Sequence, residues 1–424
     1  MTAMREPIEP NPPHWPAIVS WARSAIVPKG GAFNALQPHE IAAPLVHALL
    51  AQAGLGTDDI DAVVLGNALG AGGNPARMTA LAAGLSPRCA AFSIDSQCCA
   101  GLDAIGVAAG LIHSGQADVV IAGGVEAWSR APIRQTRPLH EHEAPQTYER
   151  PPFAPDPAQD PDLLQAACDH AFAQGVSRTQ QDTYALLSHE RAQTLHMHSQ
   201  CGEIVPIAGL NNDAYPRHIS PERAARMPVI AHAAGDTARE SGLTALTISA
   251  KADGAAVVLL ASQRACERLH LKQRAHWIAS AMLGGDSRMP LSAAALAASK
   301  ALATAAVQLQ RDALLASQLQ AIELHDAFAV QGISFCDALG LKIQDINTGG
   351  GGLARGHPIG ASGAVALVRL LATLDAQRSA AADTGRTPLP LTGMAAIAGA
   401  GGLGAACIVR MGNMENMENS ETGE

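Results

Sequence analysis

The stretch "AFSIDSQCCAGLDAIGVAAGLIHSGQADVVIAGG", residues 91–124, decides how this chain is read. Residues 91–94 make a short apolar strand. Leu102, Ile105, Ala108, Ala109 and Ile112 share one face of a helix over 98–113, which Gly115 closes, and "DVVIAGG" is a second strand. Strand, helix, strand in that order predicts parallel strands in a layered α/β protein. Two adjacent cysteines stand at the strand-to-helix junction behind a polar Asp95-Ser96-Gln97, and no CxxC spacing occurs anywhere in the chain.

The same alternation extends in both directions. An apolar helical pattern over 36–50 leads through "AGLGTDDI" into the β-branched run "DAVVLGNAL". From 129 to 223 the rhythm breaks: "RAPIRQTRPLHEHEAPQTYERPPFAPDPAQDPD" is Pro-rich and charged, and it precedes a helical "RTQQDTYALLSHERAQTL", which reads as an insertion between strands. The pattern resumes with "DGAAVVLLAS", "HWIASAML", "LQAIELHDAF", a glycine-rich loop, a helix over 362–374, and strands at "GMAAIAG" and "GAACIVRM". A Gly-rich segment ahead of a helix occurs once in each half, so a duplicated architecture follows. The tail, 412–424, is acidic, repetitive and poor in apolar residues, the composition of a disordered segment.

Of 424 residues 48% are hydrophobic and 16% charged, enough apolar material for a large core and more than one domain. A net charge of -9 with no Lys/Arg-rich run argues against nucleic acid as a partner. Scattered cysteines and no secretory leader point to reduced thiols and a cytoplasmic location. Apolar runs are short and interrupted, below the roughly 20 residues that a membrane span needs. Aromatic residues are only 3% while Gly numbers 40, so helices are expected to pack closely on sheets.

Four segments could carry chemistry. A thiol at a helix N-terminus, Cys98 or Cys99, meets unpaired N–H donors and the positive end of the helix dipole, both of which favour thiolate; a small buried filler is the competing role of such a cysteine. In "NTGGGGLARGHPIGASGA", residues 347–364, His357 is fixed between Gly356 and Pro358 and could take a proton from a cysteine. "ELHDAF" places His325 at a strand end, where open α/β sheets hold ligands. The backbone N–H groups of "AGAGGLGAA", residues 398–406, could form an oxyanion hole.

Taken together and in order, these segments resemble the thiolase family over nearly the whole chain. "CCAGLDAIGVAAGLIHSGQADVVIAGGVEAWSRAP" is similar to its nucleophile segment, "GVSRTQQDTYALLSHERA", "GEIVP" and "LTALTISAKADGAAVVLLAS" to its substrate loop and the strand after it, and "GHPIGASG" to its most diagnostic block. The resemblance implies a five-layer α/β/α/β/α fold of two α/β halves, the first over 1–126 and 249–270 around an insertion at 127–248, the second over 271–411. It implies an acyltransferase that forms an acyl-cysteine from acyl-CoA and passes the acyl group to coenzyme A or a carbon nucleophile, with no tightly bound cofactor and no metal. By the same resemblance Cys98 is the nucleophile and His357 its base. His325, in the His-Asp form of the lipid-transfer-protein-like and archaeal branch, holds the thioester oxygen of the second substrate. The amides of Cys98 and Ala400 form the oxyanion hole, Ser249 lies along the pantetheine arm, and Gly356 and Phe328 contact substrate. A homodimer or homotetramer is implied, with the option of a small OB-fold partner protein.

One departure is marked. The family's second cysteine, which moves the α-proton of the attacking acyl-CoA, is replaced at its two usual positions by Ala398 and Ala327. Cys336 and Cys407 fall elsewhere in the pattern. General acid–base catalysis contributes roughly 10²–10⁴-fold, about 3–5 kcal/mol, so acyl transfer is expected more firmly than carbon–carbon chemistry. The alternatives are a specialised condensing enzyme whose acceptor brings its own acidity, a non-catalytic acyl-CoA-binding subunit, and a cysteine hydrolase.

Overall fold

The computed structural model describes residues 15–70, 72–197, 202–383 and 390–412. The expected acidic tail, apart from Gly412, lies outside the described residues. Nine strands carry the main sheet: β1 (Ala17–Arg23), β2 (Ala62–Gly66), β3 (Ala90–Ile94), β4 (Val119–Ala127), β5 (Ala252–Ala261), β6 (Ala275–Gly284), β7 (Ala321–His325), β8 (Leu391–Gly399) and β9 (Leu403–Met411). They run in the order β7-β8-β9-β6-β1-β5-β4-β2-β3, and the two-residue strand Val27–Pro28 adds to β5.

Four helices matter most for the site: α1 (Pro38–Ala53), α2 (Ala100–His113), α3 (Ala293–Gln308) and α4 (Ser362–Asp383). The order β1-α1-β2 and then α2-β4-β5 in the first half repeats as β6-α3-β7 and then α4-β8-β9 in the second.

Strand alternation builds the layers. Val64, Val120, Ala122 and Val258 point inward from the first half, as Ala395, Ile397, Cys407 and Val409 do from the second, and all pack on α2 and α4 in the middle. Val63, Leu65, Ile121 and Leu259 point outward onto α1, while Met394, Ala396 and Ile408 point outward onto the alanine face of α3. Five layers result, α1, sheet, α2 with α4, sheet, α3. The central helices approach closely: a Cβ added to Gly363 would lie 2.7 Å from that of Leu102. Truncating a buried anchor such as Leu102 or Ile105 to Ala costs roughly 2–5 kcal/mol.

The parallel strands expected around residues 91–124 are found, β3 and β4 each pairing parallel with β2; two further features of the sheet were not read from the sequence, and one expectation is corrected. Only β2–β3, β2–β4 and β7–β8 are parallel; β8 and β9 are joined by the short turn Ala400–Gly402 and pair antiparallel, because a tight turn reverses the chain where a helical crossover would not. The two sheet layers are not separate, since Ala17 and Ile18 of β1 pair with His276 and Ala275 of β6. β1, which makes that link, had no counterpart in the sequence reading. Finally, Pro290–Gln308 and Ile359–Asp383 are long and apolar enough by composition to cross a bilayer. Isolated polar residues such as Arg369 interrupt the second run without making it polar. Most of each apolar window is buried inside the protein, which is the setting of core helices.

Between β4 and β5 the segment reaches the main sheet through an isolated bridge, Ile204 beside Arg23 of β1. That segment holds a small hairpin, Arg134–Gln135 against Thr147–Tyr148, and the helices Leu163–Ala173 and Arg178–Met197.

Candidate active site

The polar residues ahead of the cysteines shape the turn that presents them. Asp95 Oδ1 accepts hydrogen bonds from the Gln97 backbone N–H (2.9 Å) and from Gln97 Nε2 (3.0 Å). This holds Gln97 in the left-handed region at φ 56°, an unfavourable setting for a side-chain-bearing residue. One 3₁₀ turn, Gln97–Cys99, then leads into α2. Adjacent helical residues point about 100° apart, and the two thiols diverge accordingly. Cys98 Sγ lies 3.2 Å from His357 Nε2. Cys99 Sγ faces β8, 3.9 Å from the Ile397 carbonyl.

His357 comes from the second half and is fixed on every side. Its N–H donates to the Ala250 carbonyl at 2.7 Å, and its carbonyl accepts from Trp128 Nε1 at 3.0 Å. Nδ1 lies 2.7 Å from Ser362 Oγ. With the Ser362 hydroxyl donating to the Pro358 carbonyl (3.2 Å), it accepts from His357 Nδ1. That assigns the proton to Nδ1 and leaves Nε2 bare, facing the Cys98 thiol.

Burial sets the charge states. It pushes the Cys98 thiol up from 9.0 to about 12, only partly offset by the Ala400 and Cys98 backbone N–H groups beside the sulfur. It pushes His357 down from 6.5 to about 4. The resting pair is therefore a neutral thiol and a neutral imidazole; the helix-terminus argument for a standing thiolate loses to desolvation. Such a pair exchanges a proton when a substrate arrives, in the manner of nucleophile and general base.

His325 ends β7 with its ring stacked on His357, centroids 4.4 Å apart. It is 5% exposed, Nε2 has no partner among the described residues, and burial first, then His357, hold it well below its ordinary pKa. Asp326 accepts from the Gly352 N–H, pinning a glycine at which a Cβ would lie 2.6 Å from His325 Cε1.

A cavity of about 500 Å³ opens onto the sulfur. Of the residues expected from sequence, Cys98, His357, Ala400, Ser249 and Phe328 line it. Ser249 Oγ donates to the Gly352 carbonyl at 2.6 Å. His325 stands behind His357 and is not among the wall residues. Gly356, also off the wall, sits at φ 110° over the Ala250 carbonyl and Ala252, where its conformation turns the chain into His357. Leu163, Leu164, Ile230, Ile248 and Leu291 make much of the wall apolar, with Arg134, Arg150 and Lys251 also on it. Ala327 and Ala398 both face the cavity, and Cys98 is the one cysteine among the described residues that does. Cys336 and Cys407 are buried elsewhere.

Sequence reasoning missed Ser362, although it lies in the "GASG" run beside His357, and it missed Glu126. That carboxylate is fully buried, accepts from Asn67 Nδ2 (2.8 Å), Ala68 N–H (2.8 Å) and Gly360 N–H (3.0 Å), and is raised to about 7 by burial. It ties the loop after β2 to the turn that precedes α4. At the same crossing, a Cβ on Gly66, Gly101 or Gly124 would run into the Gly360 carbonyl, so the two halves touch backbone to backbone beside the sulfur–imidazole pair.

Comparison with known proteins agrees with this architecture. Residues 16–264 match the family described as Thiolase, N-terminal domain, and residues 277–411 match Thiolase, C-terminal domain. The chain is 34% identical to YhfS of Bacillus subtilis, provisionally named an acetyl-CoA C-acetyltransferase, over 92% of this chain and 98% of that one. It is also 34% identical to VraB of Staphylococcus aureus, which bears the same provisional name, over 84% and 93%. Among solved structures, the Bacillus anthracis acetyl-CoA acetyltransferase superposes with a TM-score of 0.81 at 27% identity, covering 94% of this chain and 99% of that chain. The Acat5 thiolase of Ascaris suum in complex with coenzyme A gives 0.82 at 25%, covering 94% and 100%. With both halves matched in order and the duplicated fold reproduced, the chain belongs to the thiolase family.

Proposed function

We propose that this protein forms an acyl thioester on Cys98 from acyl-CoA and passes the acyl group to coenzyme A or to a carbon nucleophile. The observation that carries this reading is His357 Nε2 at 3.2 Å from Cys98 Sγ, with Nδ1 held 2.7 Å from Ser362 Oγ. In the forward half-reaction sulfur attacks the thioester carbonyl, His357 receives the thiol proton, and the same proton passes to the departing CoA thiolate. The N–H groups of Cys98 and Ala400 receive the developing oxyanion. Ser249 contacts the pantetheine arm, and the cations Arg134, Arg150 and Lys251 suit a polyanionic substrate. Coenzyme A, in complex with which the similar Acat5 thiolase was solved, enters here as a substrate.

Incubation with acetyl-CoA followed by intact-mass measurement tests the reading. One acetyl group is expected on the wild type and none on Cys98→Ala, while His357→Ala should slow acetylation by roughly 10²–10⁴-fold. An adduct that survives in Cys98→Ala removes the proposal.

A second reading within the class, a condensing enzyme whose acceptor needs no base, is favoured by one observation: both wall positions that would carry a second thiol are alanines, Ala327 and Ala398.

A further inference from the structure

Building on the acyl-Cys98 reading, we propose that the second substrate is a 2-carboxyacyl thioester, and that loss of CO₂ from it, rather than removal of a proton, generates the carbon nucleophile. Making a carbanion from a plain acyl thioester requires a base at the α-carbon, and the cavity offers none of adequate strength. Ala327 and Ala398 cannot carry a proton. Once acylated, Cys98 is occupied. His357, whose conjugate acid titrates near 4, is poorly matched to an α-hydrogen, and His325 is likewise depressed by burial. The two carboxylates on the wall, Glu149 and Asp162, are exposed, and Asp162 is engaged in capping the helix Leu163–Ala173.

A carboxyl substituent removes the need for that base. The bond between the α-carbon and the carboxylate breaks, CO₂ departs, and the electron pair forms an enolate. Its carbon attacks the carbonyl of acyl-Cys98, the C–S bond breaks, and the Cys98 thiolate is reprotonated from water. One acyl enzyme, one 2-carboxyacyl thioester and one proton thus give one 3-ketoacyl thioester, one CO₂ and the free thiol. No external oxidant or reductant enters.

Two features of the cavity suit such a substrate. Gln331 lines it while being only 2% exposed. Its Oε1 accepts the Ala327 N–H at 3.0 Å, which orients the amide, and its Nε2 donates to no described residue. That leaves the amide N–H₂ free to donate to a carboxylate held beside Ala327. The neighbouring wall, Phe328, Ile248 and Leu291, is apolar, so an anion held there loses hydration that its conversion to neutral CO₂ no longer requires.

The experiment compares malonyl-CoA with a second molecule of acetyl-CoA as partner for the acetylated enzyme, following 3-ketoacyl-CoA by mass spectrometry and CO₂ from carboxyl-labelled malonyl-CoA. Condensation with malonyl-CoA is expected at least about 100-fold faster, the lower bound of what an α-proton base contributes, with CO₂ and product formed in equal amounts. Gln331→Glu keeps the acceptor for the Ala327 N–H but repels a carboxylate, and it should lower kcat/KM for malonyl-CoA about tenfold or more relative to the rate of Cys98 acetylation. Ala327→Cys, or Ala398→Cys should the first fail to fold, should raise condensation of acetyl-CoA with itself. If the wild type condenses acetyl-CoA alone as fast as with malonyl-CoA, or becomes acetylated yet releases no CO₂ from malonyl-CoA, the inference falls and the acyl-Cys98 reading stands. If neither thioester acetylates Cys98, both fall.

Discussion

Two of the buried polar clusters among the described residues carry contrasting charge states. In the first, Cys98, His357 and His325 come together without a counter-ion, and burial drives each toward its neutral form. In the second, Arg23 of β1 meets Asp213 at 2.6 Å and Glu203 at 3.1 Å, while Arg369 of α4 meets Glu203 at 2.6 Å and Arg355 lies 3.8 Å from Asp213. Burial would raise the Asp213 and Glu203 carboxyls too. For Asp213 it is outweighed by Arg23, with His196 and Arg355 adding, and for Glu203 by Arg369 and then Arg23; Asp213 ends well below the ordinary range and Glu203 below it. The same desolvation thus yields reactive neutral groups where partners are absent and fixed charges where they are present. One cluster can move a proton, whereas the other ties β1, the inserted segment and α4 together.

The largest expected effect separates the two by stability. Asp213→Ala takes from Arg23 its two contacts with that carboxylate and also removes the acceptor of the Ile26 N–H (2.9 Å), so a loss of about 3–5 kcal/mol is expected, whereas Cys98→Ala should change stability by less than about 1 kcal/mol. Denaturant titration of both variants checks this, and equal losses would erase the distinction.

Next comes the pH dependence. With its folded pKa lowered from 6.5 to about 4, His357 contributes stability that is fully present above 6.5 and is lost as pH falls toward 4, because the unfolded chain binds the proton first. From pH 7 to 5 the loss is about 2 kcal/mol. His357→Asn should flatten that part of the profile by the same amount. The carboxylates of the ion cluster act lower, losing their contribution only below the unfolded carboxyl range near pH 4.

The smallest effect concerns Cys99. It faces Ile397 and not the imidazole, so Cys99→Ala should acetylate at Cys98 within about twofold of wild type and lose about 1 kcal/mol of packing. A tenfold drop in acetylation would mean the two thiols are coupled.

How much of this was legible beforehand follows from how far apart the participants lie in sequence. Cys98, His357 and His325 each stand in a local pattern of glycines or at a strand end, and alternation placed β2, β4, β5, β8 and β9 close to where they occur. The ion cluster draws on positions 23, 203, 213, 355 and 369, and no local pattern announces that a strand, an insertion and a helix will deliver opposite charges to one point. β1 escaped because six apolar and small residues followed by an arginine look like a lead-in until its partners β5 and β6 are known. The charge of Cys98 was misjudged for a related reason: the helix terminus is visible in sequence, but the depth of the sulfur is not. Ser362 was in plain view, yet its role depends on a hydrogen bond to one particular ring nitrogen.

The meeting of Gly66, Gly101, Gly124 and Gly360 has a consequence for how such a protein can diversify. With no side chain between the repeats at that point, the gap between sulfur and imidazole is set by rigid peptide units and not by rotamers that can relax. The cavity around them can be repainted residue by residue to admit new substrates, while a single methyl group at the crossing would pry the reacting atoms apart.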